Sequence, residues 1–248
     1  MIRPWVFEFF PELDGAAGSE VSRYFGKYLD LWKRDEELGF EGIFFSEHHF
    51  GGSFSPSPNL LIAATAARTS RIRLGVMALV VPYYAPARII EEIGMLDHLS
   101  GGRLEIGTGI GVPQELARLN ISMDEARAIS VEAADILDQA LETGVVSYRG
   151  KHFNYDKLRL VPRPAQTPHP PKWTTIVSAD SARKSARRRS KICTGFNPTE
   201  QINGLFDAYR AEAAACGFRV GPDHLALRQI GRAHGTPVTD VSRMPSSA

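Results

Sequence analysis

From its first residues this chain alternates short apolar runs with longer segments of helical spacing, and few folds accept that rhythm. The apolar runs occupy residues 5–10, 42–46, 72–81, 104–107, 173–177, 192–195 and 225–230. Helical segments lie between them, over 19–38, 59–69, 85–99, 123–143, 181–189 and 199–216. In the first of these, Phe25, Leu29 and Trp32 recur at three- and four-residue spacing, and Gly39 follows as a stop. Strands separated by helices imply a parallel sheet with right-handed crossovers. Seven such units predict an α/β fold of the (β/α)8 TIM-barrel type. An open dinucleotide-binding sheet is disfavoured, because no Gly-x-Gly-x-x-Gly opens a helix after the first strand.

A complete barrel needs eight strands and about 250 residues. This chain has 248 residues but spends some of them on an excursion. Residues 145–155 alternate around Arg149-Gly150, which predicts a hairpin after the fourth helix. Pro162, Pro164, Pro168, Pro170 and Pro171 then stiffen the return to the core. No seventh crossover helix and no eighth strand is legible after residue 230. The expectation is one barrel domain over 1–235, incomplete at its C-terminus with about seven strands, and a polar tail over 236–248.

Charge narrows the partners. A formal net charge of +1 gives no overall attraction to nucleic acid or to an anionic membrane. The cluster Arg183, Lys184, Arg187, Arg188, Arg189 and Lys191 lacks interleaved aromatics and reads first as a solvated helix face. Two cysteines, Cys193 and Cys216, make no disulfide framework, so a reducing compartment, the cytoplasm, is expected. Met1-Ile2-Arg3-Pro4-Trp5 reads as the approach to a strand rather than as a secretory signal. No run is long and apolar enough to span a bilayer.

The stretch that carries chemistry is Phe44-Phe45-Ser46-Glu47-His48-His49-Phe50, followed by Gly51-Gly52. A carboxylate and two imidazoles at the tip of a buried strand stand where parallel α/β enzymes keep their reacting groups. Histidine exchanges protons near neutral pH. Adjacent residues on a strand point to opposite faces, so Glu47, His48 and His49 cannot all ligate one ion, and no metal site is expected.

At this point the sequence resembles the bacterial luciferase-like flavin monooxygenases. The resemblance runs from Trp5 to about Gly221. It is carried by five motifs in order: Ser46-Glu47-His48-His49-Phe50, Leu74-Gly75-Val76-Met77-Ala78-Leu79-Val80-Val81-Pro82, Leu96-Asp97-His98-Leu99-Ser100-Gly101-Gly102-Arg103, Asp124-Glu125-Ala126-Arg127-Ala128 and Ser178-Ala179-Asp180-Ser181-Ala182. The resemblance implies FMN at the C-terminal face of the barrel. It also implies a separate reductase that supplies the flavin reduced, and O2 reacting through a C4a-peroxyflavin to oxidise a small substrate such as an aldehyde. His48 matches the catalytic histidine, and Glu47 orients the site or pairs with a cation. His49 points away, and packing is its simpler role. Met77-Ala78 matches a place where such barrels carry a non-proline cis peptide, with a β-bulge as the alternative. Gly109, in the glycine-rich loop over 107–111 after the fourth strand, is a further expected cofactor contact.

For the phosphate, Ser181 at a helix start, with Ser178 and Asp180 beside it, is the expected cradle. Arg127 matches a phosphate-contacting arginine, its alternative being a surface pair with Asp124 or Glu125. One departure stands out: Ile110 occupies the place of an arginine in that loop, and Arg183 or Lys184 is the available substitute. A homodimer through the helices over 59–69 and 85–99 is expected, where Ile89, Ile90, Ile93 and Leu96 form a stripe that the core otherwise absorbs. Two other readings stay open: a flavin-binding barrel without turnover, and a deazaflavin-dependent hydride-transfer oxidoreductase.

Overall fold

A computed structural model describes residues 3–10, 16–50, 55–195 and 197–228. Its main sheet has seven parallel strands: β1 (Trp5–Glu8), β2 (Gly42–Phe45), β3 (Arg73–Val80), β4 (Leu104–Gly109), β7 (Lys172–Thr175), β8 (Lys191–Gly195) and β9 (Leu225–Arg228). Their order in space, β1-β2-β3-β4-β7-β8-β9, is their order in the chain, so every crossover joins neighbours. The sheet curls into a nearly closed barrel. Across the seam between β9 and β1, the Arg228 guanidinium lies 4.6 Å from the ring centre of Phe7.

Helices α1 (Gly18–Leu38), α2 (Pro58–Ala66), α3 (Pro86–Leu99), α4 (Pro113–Arg118), α5 (Met123–Thr143), α6 (Ala179–Arg187) and α7 (Thr199–Ala215) surround the strands. α1 ends where Gly39 takes a left-handed φ of 87°, a conformation that costs glycine little. Because helices cover the outside and side chains fill the inside, β2 is buried at all four positions, and its sequence reads as unbroken apolar residues. Outside, Ile43, Phe45, Leu74, Val76, Leu104 and Ile106 pack in one cluster with Trp32, Ile62, Ile93 and Ile136. Burying each such side chain contributes about 1.5–3 kcal/mol. Inside, Phe44, Met77, Trp173 and Cys193 pack with Trp5, Phe7 and Ala226. Trp5 stacks on Phe44 at 4.5 Å, and a Cβ added to Gly42 would stand 2.3 Å from the indole.

The N-terminal end of the barrel is plugged by charge. Buried Glu105 accepts from Arg73 Nε and from Trp173 Nε1, both at 2.5 Å. That leaves the C-terminal ends of the strands as the open mouth.

Two expectations need correction. The hairpin is longer than residues 145–155: β5 (Val145–Arg149) pairs antiparallel with β6 (Asn154–Arg159). It follows α5, the helix expected over 123–143, and the short α4 before that helix was not foreseen. α4 has six residues and one fully buried apolar side chain, Leu116, too little periodicity to notice. Residues 229–230 of the last expected strand, the expected domain end at 235, the tail over 236–248, and Gly51 and Gly52 lie outside the described residues.

Candidate active site

β2 ends at Phe45, and the next residues are pinned by backbone. Ser46 N–H donates to the Glu8 carbonyl at 3.1 Å, extending the register with β1. Buried Ser55 donates its hydroxyl to the Ser46 carbonyl at 2.7 Å, and its own carbonyl accepts from His48 N–H at 3.2 Å. The strand tip is therefore held from both sides before any side chain acts.

The Glu47 side chain is fully buried and accepts three hydrogen bonds. Val80 N–H donates to Oε2, and Tyr84 Oη–H and His49 Nε2 reach Oε1, each at 2.8 Å. A carboxylate taken out of water needs that many donors. The bonds tie the end of β2 to the end of β3 and to the turn after it. Burial raises the Tyr84 hydroxyl well above the usual phenol range, and the neighbouring Glu47 charge raises it further. His49 is held by this carboxylate, with its ring edge-on to Tyr83 at 4.9 Å.

His48 faces a different carboxylate. Its Nδ1 lies 2.9 Å from Oε1 of Glu115, and its ring meets the exposed Phe9 edge-on at 4.9 Å. The ring is about one-quarter exposed, whereas the Glu115 side chain is 12% exposed. Nε2 of His48 makes no hydrogen bond among the described residues. Glu115 sits on α4, which starts with Pro at its first position and is anchored by Leu116. Sequence reasoning did not find Glu115. Tyr83, whose buried hydroxyl has no partner among the described residues, is pushed up to about 12 by burial first and then by the charges of Glu115 and Glu47. A cavity of about 200 Å³ is lined by His49, Phe50, Val112, Gln114, Glu115 and Arg118, so it reaches Glu115 and the His49 ring. A larger groove of about 560 Å³, around Glu36, Glu41, Arg71 and Arg73, lies at the opposite end of the strands, away from this chemistry.

At the next strand ends the peptide Met77-Ala78 is cis, and the β3–β4 register slips between Val76 and Leu79, so both features weighed from the sequence occur at one place. A Cβ added to Gly109 would stand 3.0 Å from Ala78 Cβ and 3.4 Å from Thr175 Oγ1. Only glycine lets β3, β4 and β7 approach this closely at their ends, and a side chain here would crowd the place where a planar ring such as a flavin would lie across them.

The side expected to hold a phosphate is built differently. Ser178 caps α6 and forms a capping box with Ser181: each hydroxyl accepts the other residue's backbone N–H at 3.2 Å. The Ser181 hydroxyl donates to the Ser178 carbonyl at 2.7 Å. Asp180 pairs with Lys184 at 2.8 Å, and that bond holds its carboxyl below the usual range. Uncommitted among the described residues are the N–H groups of Ala179 and Asp180 and the exposed Arg183. These suit an anion, with the hydroxyls available only by exchanging partners. Arg127, on α5, is exposed and bonds Asp124 at 2.7 Å. The structure thus gathers Glu47, His48, Met77, Ala78 and Gly109 on β2–β4, sets Ser178, Asp180 and Ser181 after β7, and leaves Arg127 on the outside.

Residues 7–231 match the family model described as luciferase-like monooxygenase. An uncharacterized protein of Sinorhizobium fredii is 39% identical over 209 residues, 83% of this chain and 60% of that one. Several other curated relatives are spanned over about half their length or less. Among solved structures, the monooxygenase RslO1 of Streptomyces bottropensis superposes with a TM-score of 0.84 at 30% identity, over 90% of this chain and 70% of that one. The oxygenating constituent of 3,6-diketocamphane monooxygenase of Pseudomonas putida, in complex with FMN, gives 0.80 at 21%, over 91% and 66%. The coenzyme F420 dependent tetrahydromethanopterin reductase of Methanopyrus kandleri gives 0.72 at 18%, over 91% and 64%. The last two share the fold.

Proposed function

Because the chain belongs to the luciferase-like monooxygenase family, we propose that it forms the oxygenase of a two-component system, taking reduced FMN from a separate reductase and using O2 to oxidise a small organic substrate such as an aldehyde. The observation that carries the reading is the imidazole of His48, held through Nδ1 at the open end of the barrel with Nε2 unbonded among the described residues. Reduced FMN, when bound, supplies the electrons and activates oxygen; the protein supplies position, dryness and protons. Met77, Ala78 and Gly109 would hold the ring. The N–H groups of Ala179 and Asp180, Arg183, and after rearrangement Ser178 and Ser181, would hold the phosphate, with Arg127 a further candidate. Arg183 takes the place left by Ile110. Glu47 fixes the strand tip that carries His48, and Nε2 of His48 accepts or returns the proton that the oxidation moves. Phe9 covers one edge of the His48 imidazole.

The enzyme is read as cytoplasmic and homodimeric. No helix among the described residues is long and apolar enough to cross a membrane. The core absorbs the expected stripe of Ile89, Ile90, Ile93 and Leu96, and the exposed apolar side chains left on these helices for a dimer contact are Leu60 on α2 and Met95 and Leu99 on α3, at 71%, 51% and 59%.

Photoreduced FMN, oxygen and a panel of aldehydes test the proposal. The expected result is oxygen-dependent product from at least one of them, with His48→Gln lowering turnover by about 10²–10⁴-fold. FMN binding without any oxygenated product would favour the barrel without turnover, the reading that Ile110 and the self-paired serines support. Thermal stabilisation by a deazaflavin in place of FMN would favour hydride transfer.

A further inference from the structure

We propose that Glu115 is the positioning residue of His48: its carboxylate holds the Nδ1 proton and presents Nε2 as the ring's acceptor at the mouth of the barrel. The inference rests on the reading of His48 above and names the group that makes it an acceptor. In a neutral imidazole one nitrogen carries the proton, and the partner of the other decides which. Glu115 Oε1, 2.9 Å from Nδ1, accepts only. Phe9, edge-on at 4.9 Å, packs against the same ring and opposes a flip that would exchange the nitrogens.

Packing alone does not explain Glu115. Its Oε2 is buried and has no hydrogen-bond partner among the described residues, so among them the carboxylate is desolvated for a single bond. Such a placement costs stability that an apolar side chain of the same size would not. The other carboxylate of the site cannot substitute, because Glu47 is already engaged by Val80, Tyr84 and His49. The two adjacent imidazoles are thus bound through different nitrogens to different carboxylates: His49 through Nε2 to Glu47, His48 through Nδ1 to Glu115. Among the described residues, only the second arrangement leaves Nε2 unengaged.

The test reads the tautomer directly, in the full chain and without flavin. Long-range proton–nitrogen correlation of ¹⁵N-histidine protein at neutral pH resolves the seven histidines, and the signals missing in His48→Gln belong to His48. The expected native spectrum shows the Nδ1–H form of His48. Glu115→Leu should shift it to the Nε2–H form while the near-ultraviolet circular dichroism stays native. An Nε2–H ring in the native chain, or an unchanged ring in Glu115→Leu, overturns the proposal. If Glu115→Leu does not fold, Glu115→Ala and the native spectrum decide by the same criterion. In turnover, Glu115→Leu should lower kcat about tenfold or more with KM held, and a change confined to KM counts against the proposal. A chain with no oxygenase turnover would defeat the proposed function, yet the tautomer would still report on Glu115.

Discussion

The two sides of the barrel mouth are built on opposite plans. On the β2–β3 side, a fully buried carboxylate takes three donors, and the backbone at 46–48 is pinned by Glu8 and Ser55. On the β7–α6 side, Ser178, Asp180 and Ser181 satisfy one another or a neighbouring lysine near solvent. Buried polar networks are worth most when complete and are costly when broken, whereas exposed ones can exchange partners cheaply. The difference teaches where rigidity is spent. The side that positions the imidazole is fixed in advance, and the side proposed for an anion has its donors engaged with each other.

Removing the centre of the rigid side should have the largest effect. Glu47→Leu strands the Val80 N–H, the Tyr84 hydroxyl and the His49 Nε2 without an acceptor. At about 1–3 kcal/mol for each unpaired group, and with two of the three only partly buried, the lower half of the summed range, about 3–5 kcal/mol, is expected in urea denaturation. A loss under about 1 kcal/mol would mean that the network does not hold the strand tip. Tyr84→Phe removes one donor and leaves the carboxylate with two, so about 1.5–3 kcal/mol is expected, the range for hydrogen bonds to charged groups. Because burial and the Glu47 charge hold the Tyr84 phenol far above its ordinary range, its ultraviolet titration should not begin until the protein unfolds in alkali. Ser178→Ala, on the other side, removes only a helix cap and should cost about 1 kcal/mol. A cost as large as that of Glu47→Leu would erase the contrast between the two sides.

How far this contrast could be read from the chain follows from the same physics. The strand–helix rhythm and the Glu-His-His tip were legible because burial on both faces writes itself as unbroken apolar residues, as in β2, and polar groups at such a tip stand out. Glu115 was not legible. It acts across 67 positions of sequence, on a six-residue helix with one fully buried apolar side chain. The only local mark was Pro113 at a helix start with Gln114 and Glu115 behind it. The Ser178–Ser181 spacing showed a helix beginning. Whether the hydroxyls are engaged with each other or with a ligand is a matter of partner exchange that spacing does not encode.

The smallest expected effect belongs to Arg127, and it sharpens the comparison most cheaply. Its guanidinium is 59% exposed and bonded to Asp124 three residues earlier, itself 94% exposed. Exposed pairs of this kind contribute little, because solvent screens them and both side chains lose freedom to make them. Arg127→Ala should therefore change stability by less than about 0.5 kcal/mol. If the anion is gripped only on the α6 side, FMN affinity should be unchanged in Arg127→Ala and weakened in Arg183→Ala by about tenfold, the equivalent of about 1.4 kcal/mol. A tenfold loss in Arg127→Ala instead would mean that α5 supplies a phosphate contact and that Arg127 leaves Asp124 to make it. The partner exchange argued for the α6 serines would then extend to a second helix.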